Sequence, residues 1–135
     1  MTRIESQSVN LNDKPESVFS FLNNLNNHQY IMHKQVSDWN STEIEAHLKI
    51  QGLDSLHLKR DVTQAYSYIK IVPASPAKVD LYLEWHIQDA DAGSTVKVDI
   101  VADLNMFMKM VAVKPLQDLA NYMATHLEAG MKHNN

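Results

Sequence analysis

The sequence contains no cysteine among its 135 residues. Disulfide bonds, thiolate metal sites and cysteine nucleophiles are therefore excluded. Only three glycines are present, too few for a phosphate-binding loop or a dinucleotide-binding fingerprint. No apolar run approaches the roughly 20 residues that a membrane-spanning helix needs. The remaining possibilities are those of a globular domain that acts through other side chains.

The sequence also lacks a cluster of basic residues. The formal net charge is -4. In the segment LKRD at 58–61, two basic residues are followed directly by an acidic one. Because phosphate binding needs a concentrated Lys/Arg surface, we expect no nucleic-acid partner. The first residues, MTRIESQSVNLND, are polar and alternating, which is not typical of a signal peptide. We therefore expect a cytoplasmic protein without stable membrane insertion, and leave monomer and homodimer open.

The length and composition fit one domain with a real core. Hydrophobic residues make up 44% of the chain and charged residues 21%, as in globular proteins in general. No repeat or low-complexity linker divides the chain. We predict a single domain over residues 1–132 and a frayed tail at 133–135.

The first third of the chain predicts one strand and two short helices. Residues 3–11 alternate as an exposed or edge strand does. Pro15 suits a first helical turn, and apolar residues at helical spacing predict a helix over 14–24. Asn26 or Asn27 can then cap a second short helix that runs from His28 to Met32.

The middle of the chain predicts successive β-strands. Apolar and polar residues alternate, or β-branched and aromatic residues concentrate, in five segments separated by short turns. These segments are 44–50, 56–62, 66–72, 79–88 and 95–104. Each has one apolar face, so the pattern is typical of an antiparallel meander that is wet on one side and covered on the other.

A long C-terminal helix is the candidate cover for that apolar face, because a one-sided sheet needs a second layer. Apolar residues recur there at i, i+3, i+4, i+7 and i+11 as one helical stripe. The stripe consists of Leu116, Leu119, Ala120, Met123 and Leu127. Gly130 can end the helix. The order of elements predicts the α+β class.

Where this helix begins has two interpretations. Asn105 is a good N-cap, so the helix can begin at Met106, with a kink or break at 111–115 caused by Pro115. Alternatively the helix begins at Lys114 and Pro115 occupies its first position. The first interpretation explains residues 106–113 better, since the second leaves them as a long strand tail.

Lys109 raises a related question. On an unbroken helix it lies only ~20° from Leu116, on the apolar stripe, where an unpaired charge is costly. Either a kink rotates Lys109 to solvent, or its ammonium faces a cavity and binds a ligand carboxylate or carbonyl. The neighbouring Met106, Met108 and Met110 are flexible enough to fill gaps or to adapt to a ligand.

Two further side chains carry polar groups on inward positions of the predicted strands. Trp85 shares a face with Leu83, so its indole N–H needs a partner such as a ligand or water. Arg60 shares a face with Leu58, and is either a strand-end residue in water or a fixed cation in a pocket. Both therefore become candidate ligand contacts.

Seven histidines raise the question of a metal or an acid–base group. His47, His57 and His86 occupy polar positions of their strands and so face solvent, where alignment into a surface metal site is conceivable. No HExxH pattern supports such a site. We therefore predict no metal site, no cofactor and no catalytic residue.

The order of elements resembles the helix-grip fold of the START/Bet v 1-like (SRPBCC) superfamily, whose bacterial members include polyketide cyclase/dehydrase-like proteins. The local likeness lies in SVNLNDKPESVFSFLNNLNNHQYIM at 8–32, where a strand turns into the first helix, and in the helix that begins near NMFMKM. The resemblance implies a curved antiparallel sheet of about seven strands wrapped around a long C-terminal helix. Two short helices follow strand 1, and an apolar cavity separates sheet and helix.

The resemblance also implies a function: binding or carriage of a small hydrophobic molecule, lipid, quinone or polyketide-like, in that cavity. The expected lining residues are Leu48, Leu58, Arg60, Leu83, Trp85, Ile100, Met108, Lys109, Ala112 and Leu116. Two alternatives stay open. One is a cyclase- or dehydratase-type enzyme using the same cavity, which needs a titratable group inside it. The other is a protein-interaction module with a collapsed pocket.

Overall fold

The structure is a computed structural model that describes residues 1–53 and 55–133. Two short strands are followed by a helix and a 3-10 helix, then by six strands and two C-terminal helices. In chain order these elements are β1 Thr2–Glu5, β2 Val9–Leu11, α1 Pro15–Asn23, the 3-10 helix Leu25–Ile31, β3 Val36–Ser41, β4 Glu45–Ile50, β5 Ser55–Gln64, β6 Tyr68–Pro73, β7 Leu81–Ala90, β8 Gly93–Ala102, α2 Met106–Thr125 and α3 Leu127–His133.

All eight strands form one antiparallel sheet in the order β1-β8-β7-β6-β5-β4-β3, and β2 pairs with β8 beside β1. The strands β7 and β8 are the longest pair and form a regular ladder from Leu81↔Ala102 to Ala90↔Gly93. With the long helix α2 against the sheet, the architecture is the α+β helix-grip fold that the sequence predicted.

Two details of the strands differ from the prediction. The segment 3–11 is two strands, because Ser6 interrupts it: its N–H donates to the Val98 carbonyl and its Oγ accepts from the Val98 N–H, both at 2.9 Å. The edge strand β3 was not predicted. Its sequence VSDWNS is polar, and Asp38 has a φ of 56° at an irregularity in the pairing with β4.

Helix α2 begins where Asn105 predicts. The Asn105 side chain accepts a hydrogen bond from the Met108 N–H at 2.8 Å, and the helix continues through Pro115 to Thr125. The alternative start at Lys114 is therefore wrong, and no break occurs at 111–115. The helical run is instead interrupted at His126.

The last helix corrects one boundary. Gly130 does not end the helix but lies buried within α3, where a Cβ would come within 2.6 Å of Ile31 Cγ2. His133, expected in a frayed tail, closes α3, whereas residues 134–135 lie outside the described part of the chain. The glycine thus serves the close approach of α3 to the 3-10 helix.

The apolar stripe of α2 packs on the inner face of the sheet and forms one hydrophobic core with it. On the helix, the stripe residues Leu116, Leu119, Ala120 and Met123 are buried, and Leu127 continues the stripe at the start of α3. On the sheet, the inward positions of β4, β6, β7 and β8 are buried, as the alternation predicted. In β5 only the first half follows the prediction: Leu56 and Leu58 are buried, whereas Val62 is 49% exposed.

The first turns of α2 leave that core. Met106, Phe107 and Met110 are 82%, 71% and 81% exposed, and Lys109 between them is exposed as well. The stripe position that Lys109 occupies is not covered there, so the charge reaches solvent although the helix is unbroken. We call Met106, Phe107 and Met110 the apolar tip of α2.

Candidate functional site

The centre of the inner face holds a buried polar pair. Trp85 on β7 donates its indole N–H to Nε2 of His28 on the 3-10 helix at 3.0 Å, and both side chains are buried. Burial lowers the pKa of His28 to about 4, while the backbone of Asn24 acts in the opposite direction. His28 is therefore neutral at pH 7, and its protonated Nδ1 has no well-formed hydrogen bond among the described residues.

The asparagine-rich stretch before His28 explains how the imidazole comes to point inward. Asn24 caps the 3-10 helix by accepting from the Asn26 N–H at 3.0 Å, and Asn27 donates its amide to the Phe21 carbonyl at 3.0 Å. These asparagines satisfy backbone groups at a tight junction between two helices. No pattern in the sequence indicated that His28 would be the partner of Trp85.

Arg60 links the sheet to that same junction. Its Nη1 donates to the backbone carbonyl of Asn23, the last residue of α1, at 2.6 Å, and the side chain is half-buried. The side-chain oxygen of the same residue, Asn23 Oδ1, is buried without a hydrogen bond among the described residues. Arg60 thus caps the end of α1, and its role as a ligand contact stays a prediction.

The ten residues expected to line a cavity fall into three groups. Lys109 is exposed, whereas Arg60 and Met108 are half-buried. The remaining seven belong to the single hydrophobic core: Leu48, Leu58, Leu83, Trp85, Ile100, Ala112 and Leu116. Leu48 and Leu83 are buried, with 5% and 7% of their surface exposed.

An opening lies where the sheet, the β4–β5 turn and α2 meet. It has a volume of about 290 Å³ and is lined by Gly52, Leu53, Lys78, Val79 and Met108. Its apolar lining continues into the core, since Val79 is buried and Leu53 and Met108 pack against the core cluster. The apolar tip of α2 begins at the same helix end.

The helix is locally weakened beside this opening. Pro115 has no N–H, so the Val111 carbonyl lacks its usual helical donor. Gly52, with a φ of +86°, approaches that carbonyl so closely that a Cβ would lie 3.3 Å from it. The glycine therefore lets the β4–β5 turn sit directly on the second turn of α2.

A second and larger cleft lies beside the β7–β8 hairpin. Its volume is about 650 Å³, and its walls come from the start of α1, the β5–β6 turn and the hairpin. Tyr66 and Ile87 give it apolar surface, and Glu16, Asp89 and Asp91 give it acidic surface. No residue predicted from the sequence as a ligand contact lines it.

The architecture is a helix-grip fold, in which a long helix covers the apolar face of an antiparallel sheet. No family model matches the sequence, and no curated protein matches it. Solved structures do match. The KanY protein, known from an NMR solution structure, is 16% identical and has a TM-score of 0.76, over 98% of this chain and 99% of its own.

Two further structures show the same likeness. TTHA0849 from Thermus thermophilus is 10% identical with a TM-score of 0.73, over 99% of both chains. A point mutant of norcoclaurine synthase from Thalictrum flavumn, in complex with a transition-state analogue, is 12% identical with a TM-score of 0.66, over 99% of this chain and 96% of that one. At these identities the likeness establishes the fold alone.

Within residues 1–53 and 55–133, no helix is both long and apolar enough to cross a bilayer.

Proposed function

We propose that this protein binds or carries a small hydrophobic ligand, of lipid, quinone or polyketide-like chemistry, between its sheet and helix α2, as the START/Bet v 1-like resemblance implies. One observation carries the proposal: the apolar tip of α2 is exposed beside an opening whose lining leads into the core. A contiguous exposed apolar surface on a globular protein marks an interaction site.

The route into the core runs past Met108. This side chain is half-buried in the wall of the opening, and its three rotatable bonds let it swing aside at low cost. Behind it, Ala112 on α2 leaves more room than a larger residue would. A ligand would displace core side chains rather than fill a ready cavity.

Apolar burial would supply the binding free energy. At roughly 25 cal/mol per Å2, an alkyl chain that buries about 200 Å2 gains about 5 kcal/mol before the cost of displacing side chains. Lys109 is exposed and follows Met108 in the chain. Its ammonium would distinguish ligands, because it attracts a carboxylate head group and is indifferent to a neutral one. Arg60, which holds Asn23, would contribute less.

Fluorescence of Trp85 tests the proposal directly. Trp39→Phe leaves Trp85 as the sole tryptophan, since the chain has two, and its indole is buried on the inner face. Titration of this variant with a C12–C18 fatty acid and with a neutral quinone should change the emission of Trp85 saturably. Native mass spectrometry of protein from its own host should show a co-purifying small molecule.

A charge variant tests the role of Lys109. Lys109→Gln should weaken the fatty acid several-fold and leave the quinone unchanged. Lys114→Gln, which removes an exposed lysine one turn further along that pairs with Asp118, is the matched control and should change neither. Equal weakening of both ligands would remove Lys109 from this role, and a flat Trp85 response with an unliganded mass would refute the proposal.

The enzyme alternative depends on His28. Among the buried titratable side chains of the described residues, His28 and Asp99, only His28 lies on the inner face, where its neutral imidazole could move a proton. Its Nε2 is occupied by Trp85, so such chemistry would require that hydrogen bond to open. The binding function needs no such rearrangement and is therefore preferred.

A further inference from the structure

The outer face of the sheet carries a charge arrangement that is independent of the proposed ligand site. Glu84 on β7 and Asp99 on β8 are direct cross-strand partners. Like charges in this position are destabilising unless a cation stands between them. The repulsion between the two carboxylates is screened little by water at Asp99, since only 4% of its side chain is exposed on a face that is otherwise open to water.

Arg3 supplies the cation in this structure. A single nitrogen, Nη1, lies 2.8 Å from Glu84 Oε1 and 2.7 Å from Asp99 Oδ2. The hydrogen bonds to Glu84 and Asp99 raise the pKa of Arg3 above its ordinary value. The arginine is nevertheless 47% exposed and sits on the short strand β1, so its side chain can leave this position for solvent without moving the sheet.

Two atoms at the same place, each a potential metal ligand, have no hydrogen bond among the described residues. His86 Nε2 lies 3.4 Å from Asp99 Oδ2 without forming a hydrogen bond, and Asp99 Oδ1 is buried without one. Lys97 approaches Oδ1 only to 3.6 Å, because its ammonium is held by Glu5 at 2.5 Å. A buried carboxylate with an unused oxygen is costly unless another group binds it.

The three side chains are close enough to share one ion. One ligand atom from each of Glu84, His86 and Asp99 lies within 4.8 Å of the other two. Carboxylate oxygen and imidazole nitrogen are the donors that zinc-class ions take, at roughly 2.0–2.2 Å. Tyr68 donates its hydroxyl to the second oxygen of Glu84 and so fixes that carboxylate, as outer partners of metal ligands do.

We propose that Glu84, His86 and Asp99 form a binding site for a divalent transition-metal ion of the zinc class, which the ion occupies by replacing the guanidinium of Arg3. The ion takes the position between the two carboxylates, gains the free nitrogen of His86, and releases Arg3 to water. Arg3 is thus a competitor for the site, and its removal strengthens metal binding.

Calorimetric titration of tag-free protein with Zn2+ alone tests the proposal. The wild-type chain should bind one ion per chain, and Arg3→Gln should bind it at least tenfold more tightly. His86→Gln and Asp99→Asn should each weaken binding at least tenfold. His57→Gln is the matched control: His57 pairs with Glu45 at 2.8 Å on the same outer face, and its loss should change affinity less than twofold.

The outcomes distinguish a specific metal site at Glu84, His86 and Asp99 from general binding of Zn2+ to surface histidines. Equal losses in His57→Gln and His86→Gln, or no binding by either the wild type or Arg3→Gln, would overturn the proposal. If Asp99→Asn fails to fold, judged by circular dichroism, His86→Gln decides the matter, because His86 is 39% exposed and its loss is tolerable. Zn2+ should also raise the melting temperature of Arg3→Gln more than that of the wild type.

Discussion

The buried pair of Trp85 and His28 makes the stability of this protein depend on pH in a narrow and identifiable range. His28 has a pKa of about 4 in the folded chain because burial disfavours the imidazolium ion. In the unfolded chain the same group has its ordinary value near 6.5. Between these values the unfolded state binds more protons, so falling pH favours unfolding.

The size of the effect follows from the difference between the two pKa values. Each pKa unit corresponds to about 1.4 kcal/mol, so the full difference is worth about 3 kcal/mol. This stabilisation is fully present above pH 6.5 and is lost as the pH falls towards 4. About 2 kcal/mol of it is already lost at pH 5, which is a large part of the stability of a typical domain.

Urea unfolding at pH 7.5, 6.0 and 5.0, followed by circular dichroism, measures this loss. His28→Gln offers an amide oxygen that can accept from the Trp85 N–H and never titrates. The variant should therefore lose little stability over this range, whatever its stability at pH 7.5. His133→Gln removes an exposed histidine and is the control, which should behave as the wild type does.

If the wild type and His28→Gln lose the same free energy of unfolding between pH 7.5 and 5.0, the imidazole is not held neutral by burial. The carboxyl groups do not affect the comparison, because the wild type and His28→Gln carry the same ones and their contributions cancel in the difference between the two proteins.

Three further substitutions have expected effects on urea unfolding. Gly93→Ala should be severely destabilising, or prevent folding, because its Cβ would lie 2.0 Å from the Leu11 carbonyl oxygen, a backbone atom that cannot turn aside; a loss below about 1 kcal/mol would show that the hairpin can shift. Leu116→Ala should cost about 2–5 kcal/mol, since the side chain is fully buried in the core. Arg60→Met should cost about 1–3 kcal/mol by leaving the Asn23 carbonyl without its donor, and an unchanged midpoint would show that water replaces the guanidinium.

Alternation and capping were enough to predict the main frame of the fold. The period of two along residues 79–88 matches the buried and exposed sides of β7, and Asn105 marks the start of α2. Both signals are local, so they do not depend on which element packs on which. The polar edge strand β3 was missed because an edge strand needs no apolar face, and its sequence has none.

The candidate sites were harder to predict from the sequence. They depend on the register between strands and on how far the sheet extends beneath helix α2. Lys109 was placed on the apolar stripe correctly, but only the structure shows that the sheet does not extend beneath it. The pairing of Glu84 with Asp99 follows from the β7–β8 register. Alternation does not determine this register, because a shift by any even number of residues keeps the same side chains on the same face. The hydrogen-bond partner of Trp85 is His28, which lies 57 positions earlier in the chain and so could not be predicted from local patterns.

The pairing of β1 and β2 with β8 has a consequence for how the chain is made. Residues 2–11 are synthesised before β8, the strand with which both β1 and β2 pair and which comprises residues 93–102. Until the ribosome has released that segment, β1 and β2 lack this strand partner, and such distant contacts form slowly. A nascent chain halted before residue 93 would therefore present an unfinished sheet to the chaperones around it.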